Sequence, residues 1–87
     1  MSRVYAPSPD AISAHLEGEA VLLNLQSRRY FRLNETAAEV WAALEQGIGD
    51  PAAIVQVLRE RFDVTPEDAA AEVDRLLAEL EERGLVC

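Results

Sequence analysis

The stretch VLLNLQSRRYFRLNETAAEVW, residues 21–41, decides the fold. Its first part alternates, so that Val21, Leu23 and Leu25 lie on one side of a strand over Ala20–Leu25 and Ala20, Leu22 and Asn24 on the other. Gln26-Ser27-Arg28 is a polar turn. Arg29–Leu33 then runs back as the second strand of a hairpin, with Tyr30 and Arg32 on one face and Phe31 and Leu33 on the opposite one. At Asn34 the pattern changes to helical spacing. Thr36-Ala37-Ala38-Glu39 matches a capping box, and Ala37, Val40, Trp41 and Leu44 form one stripe that Gly47 stops.

Outward from this core, Asp50-Pro51 and Thr65-Pro66-Glu67-Asp68 mark two further helix starts. Ile54, Val55, Val57, Leu58 and Phe62 are the expected buried side of the first. Ala69, Ala70, Val73, Leu76, Leu77 and Leu80 are that of the second, which ends at Gly84. Leu85 and Val86 are expected to fold back onto the core. Upstream, residues 11–17 precede a Gly-containing turn and read as an additional strand. Residues 1–10, with Pro7 and Pro9, form an extended lead-in to a single domain over 11–87. The order is two or three strands followed by three helices, an α+β module.

Composition narrows the function. Eighty-seven residues leave room for one core. No apolar run approaches the length of about 18 residues that a membrane span needs. The N-terminus MSRVYAPSPD lacks the apolar segment of a signal peptide, and the single cysteine, Cys87, permits neither an internal disulfide nor a Cys-rich zinc site. A cytoplasmic location is expected. The net charge of −8 argues against a nucleic-acid partner, and it is unevenly spread: residues 1–34 carry +1 and residues 35–87 carry −9. A partner touching the helices is therefore expected to be neutral or basic.

Catalysis finds no footing in these residues. His15 is the only histidine and has no His or Cys near it in sequence to orient it or share a metal. The carboxylates sit at helix starts and on solvated faces, where capping and the helix dipole account for them. All four glycines (Gly18, Gly47, Gly49 and Gly84) fall at turns or helix ends, so no glycine-rich loop exists to cradle phosphate. Neither an enzyme nor a cofactor is expected.

A binding surface is more promising. A small antiparallel sheet leaves an edge strand with unpaired N–H and C=O groups, which can accept an extended peptide as an added strand. If sheet order follows sequence, Arg29–Leu33 is such an edge, with Tyr30 and Phe31 as apolar walls and Arg29 and Arg32 as charges. The last helix offers two borders for a facing wall. Leu76 and Ala69 approach one, beside Glu72, Glu79 and Arg83; Leu77 and Ala70 approach the other, beside Asp74, Ala78 and Glu81. The spacing does not choose between them.

The run Arg29-Tyr30-Phe31-Arg32-Leu33-Asn34-Glu35-Thr36-Ala37-Ala38-Glu39-Val40-Trp41 resembles the strand-to-helix core of PqqD-like proteins, the recognition elements of peptide natural-product pathways. Ile54–Phe62, Thr65-Pro66, Glu72-Val73-Asp74 with Leu76-Leu77, and Leu80 through Val86 extend the similarity over roughly residues 15–87. The resemblance implies a winged-helix-like domain, a three-stranded antiparallel sheet followed by three helices, that binds the leader of a ribosomally made precursor peptide between the third strand and third helix. By position it assigns Arg29, Tyr30, Phe31, Arg32 and Leu33 to the pairing strand and Glu72, Val73 and Leu76 to the opposing wall. It also implies a free-standing adaptor of lasso-peptide type, delivering precursor to a leader peptidase and then a cyclase. Glu45-Gln46-Gly47 stands where the pyrroloquinoline quinone branch shows an Asp-Gly pair, which favours the lasso reading over a chaperone of that branch. A winged-helix DNA-binding regulator, or a protein–protein module of an unrelated pathway, are the alternatives. The first needs a cationic helix, and Arg59, Arg61, Arg75 and Arg83 are diluted among acids.

Overall fold

A computed structural model describes residues 3–87; residues 1 and 2 of the expected lead-in lie outside the described residues. Three strands, β1 (Ala11–Leu16), β2 (Glu19–Asn24) and β3 (Arg29–Leu33), precede three helices, α1 (Glu35–Glu45), α2 (Pro51–Arg61) and α3 (Pro66–Glu82). The sheet is antiparallel in the order β1-β2-β3, so β1 and β3 are its two edges. This is the α+β class expected from the change of period at Asn34.

Register follows from which side chains must be buried. Asn24 pairs with Arg29, Leu22 with Phe31 and Ala20 with Leu33, which places one alternating set toward the helices. Ala20, Leu22 and Leu33 are buried there with Val40, Trp41, Leu44, Ile54, Leu58, Val73, Leu77 and Leu80 in one continuous core. Each fully buried large side chain contributes about 1.5–3 kcal/mol relative to exposure. The other set faces outward, and Ile12, Leu16 and Tyr30 on it remain more than half exposed. β2 ends at Asn24 rather than Leu25, because the Asn24 Oδ1 accepts the amide of Gln26 at 2.9 Å and turns the chain there.

The first helix start differs from expectation. Its cap is Asn34, whose Oδ1 accepts the Ala37 N–H at 2.9 Å, and no Thr36–Glu39 capping box forms. Asn34 is the last extended residue after β3, at φ −71° and ψ 179°, so it already holds the capping conformation while Thr36 lies inside the first turn. Asp50 occupies the cap position of α2 without a side-chain hydrogen bond, and Pro51 supplies the start. Thr65 caps α3 as expected, its Oγ1 accepting the Asp68 N–H at 3.1 Å.

The end of α3 positions everything after it. Gly84 adopts φ +72°, the left-handed conformation that most side chains resist, and the Leu85 N–H returns to the Leu80 carbonyl at 2.9 Å. Leu85 and Val86 thereby enter the core, as expected. The lead-in is pinned beside them: the Ser8 amide donates to the Leu85 carbonyl and the Cys87 amide to the Ala6 carbonyl, both at 2.9 Å. Tyr5 donates to Gly49 at 2.8 Å, and Arg3 pairs with Glu81.

Candidate peptide-binding cleft

β3 is an open margin. Its neighbour on one side is β2, and no strand among the described residues lies on the other. Beyond it stands α3, and a cleft of about 290 Å³ separates the two. Tyr30, Phe31, Arg32 and Leu33 line it from the strand, and Leu76, Glu79, Leu80 and Arg83 from the helix. The border of α3 that meets the sheet is therefore the one carrying Leu76, Glu79 and Arg83. The other border carries Glu81, tied to the lead-in through Arg3.

The floor is apolar because the inward parity of β3 brings Phe31 and Leu33 opposite Leu76 and Leu80 on successive turns of α3. The rim is charged but largely self-compensated. Arg75 pairs with Glu72 at 2.5 Å and with Glu79 at 3.2 Å, and Arg83 reaches the same Glu79 at 3.3 Å. The hydrogen bond that the Arg75 guanidinium donates to the Glu72 carboxylate is the largest cause raising Arg75 above its ordinary value. Arg83 also lies over the Phe31 ring, 4.5 Å from its centroid.

A second cavity of about 600 Å³ continues from the first toward the β2–β3 turn, lined by Ser27, Arg29, Phe31, Glu82 and Arg83. Phe31 and Arg83 line both, so their stack is the partition between an apolar half and a polar half. Asn24 holds this end together. Its Nδ2 donates to the Arg83 carbonyl at 2.9 Å while its Oδ1 serves the turn, joining the hairpin to the C-terminus of α3.

Of the residues expected to bind, Tyr30, Phe31, Arg32, Leu33 and Leu76 meet at the first cavity and Arg29 at the second. Val73 is fully buried in the core, and Glu72 is held by Arg75 on its own helix; neither lines a cavity. Glu79, Leu80 and Arg83 join the wall in addition. Their signal was present in the sequence, since they lie one and two turns beyond Leu76 on its border.

His15 lies on the opposite edge strand. Its Nε2 is 2.8 Å from Glu45 Oε1, and Ser13 Oγ donates to the other carboxylate oxygen of Glu45 at 2.7 Å. No group of metal-ligating side chains converges among the described residues.

Comparison with known proteins places the fold. The profile of the family described as Coenzyme PQQ synthesis protein D (PqqD) matches residues 19–86. The fold is similar to that of TbiB1, solved in complex with the TbiA(beta) leader peptide, at a TM-score of 0.87 and 30% identity over 93% of each chain. It is also similar to a lasso peptide synthetase B1 complexed with the leader peptide, at a TM-score of 0.84 and 29% identity over 98% of this chain and 99% of that one. No curated protein sequence matches the chain.

Proposed function

The chain belongs to the PqqD family, and on that premise we propose that it is a non-catalytic adaptor of lasso-peptide biosynthesis. It takes the leader of a precursor peptide as a fourth strand along β3. The single observation that carries this reading is the vacant margin of β3 facing α3 across an apolar cleft. Main-chain hydrogen bonds to β3 supply sequence-independent affinity, and Phe31, Leu33, Leu76 and Leu80 supply a seat for apolar leader side chains. Arg29, Tyr30 and Arg32 flank the added strand. Glu72 contributes by holding Arg75 beside Glu79, and Val73 by supporting Leu76 from beneath. The similarity to two proteins solved with leader peptides supports the assignment.

Delivery to a leader peptidase and a cyclase, in the cytoplasm, completes the reading. The outer face of the sheet suits that step. Ile12, Leu16 and Tyr30 are exposed on it, at 51%, 59% and 71%. An added strand would extend this face, so an enzyme resting there would touch the adaptor and the outward side chains of the leader together. No helix among the described residues is long and apolar enough to cross a membrane. A DNA-binding role is disfavoured because Arg75 and Arg83 on α3 are spent on Glu72 and Glu79.

Hydrogen exchange tests the docking directly. Adding a synthetic lasso-precursor leader that binds the chain should slow exchange of amides within Arg29–Leu33 and leave those of β1 unchanged. Phe31→Asp should weaken binding by about tenfold or more, with thermal melting of the variant separating lost binding from lost fold. Protection spread over β1, or none at β3, would refute the edge-strand mode.

A further inference from the structure

The two halves of the cleft differ in charge, and that difference specifies more of the ligand than an apolar seat does. Arg28 and Arg29 make no ion pair among the described residues, and Arg29 lines the larger cavity. Facing Arg29 from the helix wall of that cavity stands Glu82, likewise without an ion pair among the described residues. Arg83 is balanced by Glu79. Among the side chains that line this end of the cleft, two arginines, Arg29 and Arg83, stand against one acid, Glu82, although the helical half of the chain is strongly acidic. The C-terminus of α3 would oppose this through its exposed carbonyls. Here those of Glu79, Leu80, Glu81 and Arg83 each already accept a hydrogen bond.

Resting on the edge-strand reading above, we propose that this end of the cleft selects an acidic residue of the leader at a set distance from its apolar anchor. Arg29, Phe31 and Leu33 share the inward face of β3. Leader side chains opposite them must point inward as well. The one opposite Leu33 enters the apolar cavity beside Leu76 and Leu80. The one opposite Arg29 enters the polar cavity. Arg29 and Leu33 are four positions apart, so an Asp or Glu stands four residues from the apolar anchor, whichever way the leader runs. Arg29 is the specificity-determining residue, and Arg83, stacked on Phe31, divides the two seats.

The test uses the full chain and fluorescein-labelled synthetic peptides, uncharged apart from one variable site. Each carries a Leu anchor with Asp, Asn or Lys four residues before or after it. By fluorescence polarisation the Asp peptide should bind about threefold to tenfold tighter than its Lys counterpart near 50 mM salt, with Asn between, and the gap should narrow near 300 mM. Arg29→Gln should abolish the gap while the dependence on Leu and the thermal midpoint remain. Equal binding of Asp and Lys peptides, or tighter Lys binding, would overturn the charge selection and leave the adaptor reading intact. Failure of every peptide, anchored or not, would bring down both.

Discussion

Asn24 is the only polar side chain buried in the core among the described residues, at 5% exposure, and its bonds explain its presence. One end of the amide shapes the β2–β3 turn through Gln26, and the other ties the Arg83 carbonyl at the last turn of α3. A buried amide satisfied at both ends adds stability; leaving its partners unpaired removes more than the bonds themselves gave. Asn24→Ala should therefore cost about 1–3 kcal/mol in urea denaturation. It should also loosen the hairpin from α3, so that leader dissociation measured by stopped flow becomes faster. A variant with normal stability and normal release would show that Asn24 does not set the cleft.

Among the elements, α1 begins where β3 stops, and one residue governs the handover. Asn34→Ala should lower stability by about 1 kcal/mol, since it removes the oxygen that accepts the Ala37 amide. Thr36→Ala should change it by less than about 0.5 kcal/mol, because Thr36 caps nothing. The reverse ranking of the two in chemical denaturation would restore the Thr36–Glu39 box. The effect reaches function because the edge strand is held in register only while Leu33 and α1 remain packed on the core.

For the molecule as a whole, the two ends of the described chain meet, and none of the residues that join them lines the cleft. Pro7 bridges Val86, and Tyr5 crosses Gly49 so closely that an added Cβ would sit 1.9 Å from the Tyr5 carbonyl oxygen. Gly49→Ala must displace one segment or the other, at a cost of about 1–3 kcal/mol. Faster exchange of the Tyr5 amide would report the displacement, with leader affinity changing less than stability. A loss of affinity matching the loss of stability would mean that this junction also sets the cleft.

What lay within a few residues of itself was legible before any coordinates. Alternation over Ala20–Leu33, the change of period at Asn34, the Thr65-Pro66 start and the stop at Gly84 are local steric and hydrogen-bonding preferences. They gave element order and the two faces of the sheet; the edge position of β3, conditional on strand order in the sequence, came with the order β1-β2-β3 of the folded sheet. Charge was legible as a total and as its uneven spread between the strand and helical halves; that Arg75 and Arg83 pair with Glu72 and Glu79 at the cleft while Arg29 makes no ion pair depends on side chains meeting in space. The choice of the Leu76–Glu79–Arg83 border, the withdrawal of Val73 into the core, the bond from Asn24 to Arg83 and the seat of Pro7 on Val86 were likewise tertiary decisions. Such pairings join segments separated by tens of residues. Their energies arise only when the whole core closes, and no periodicity along the chain records them.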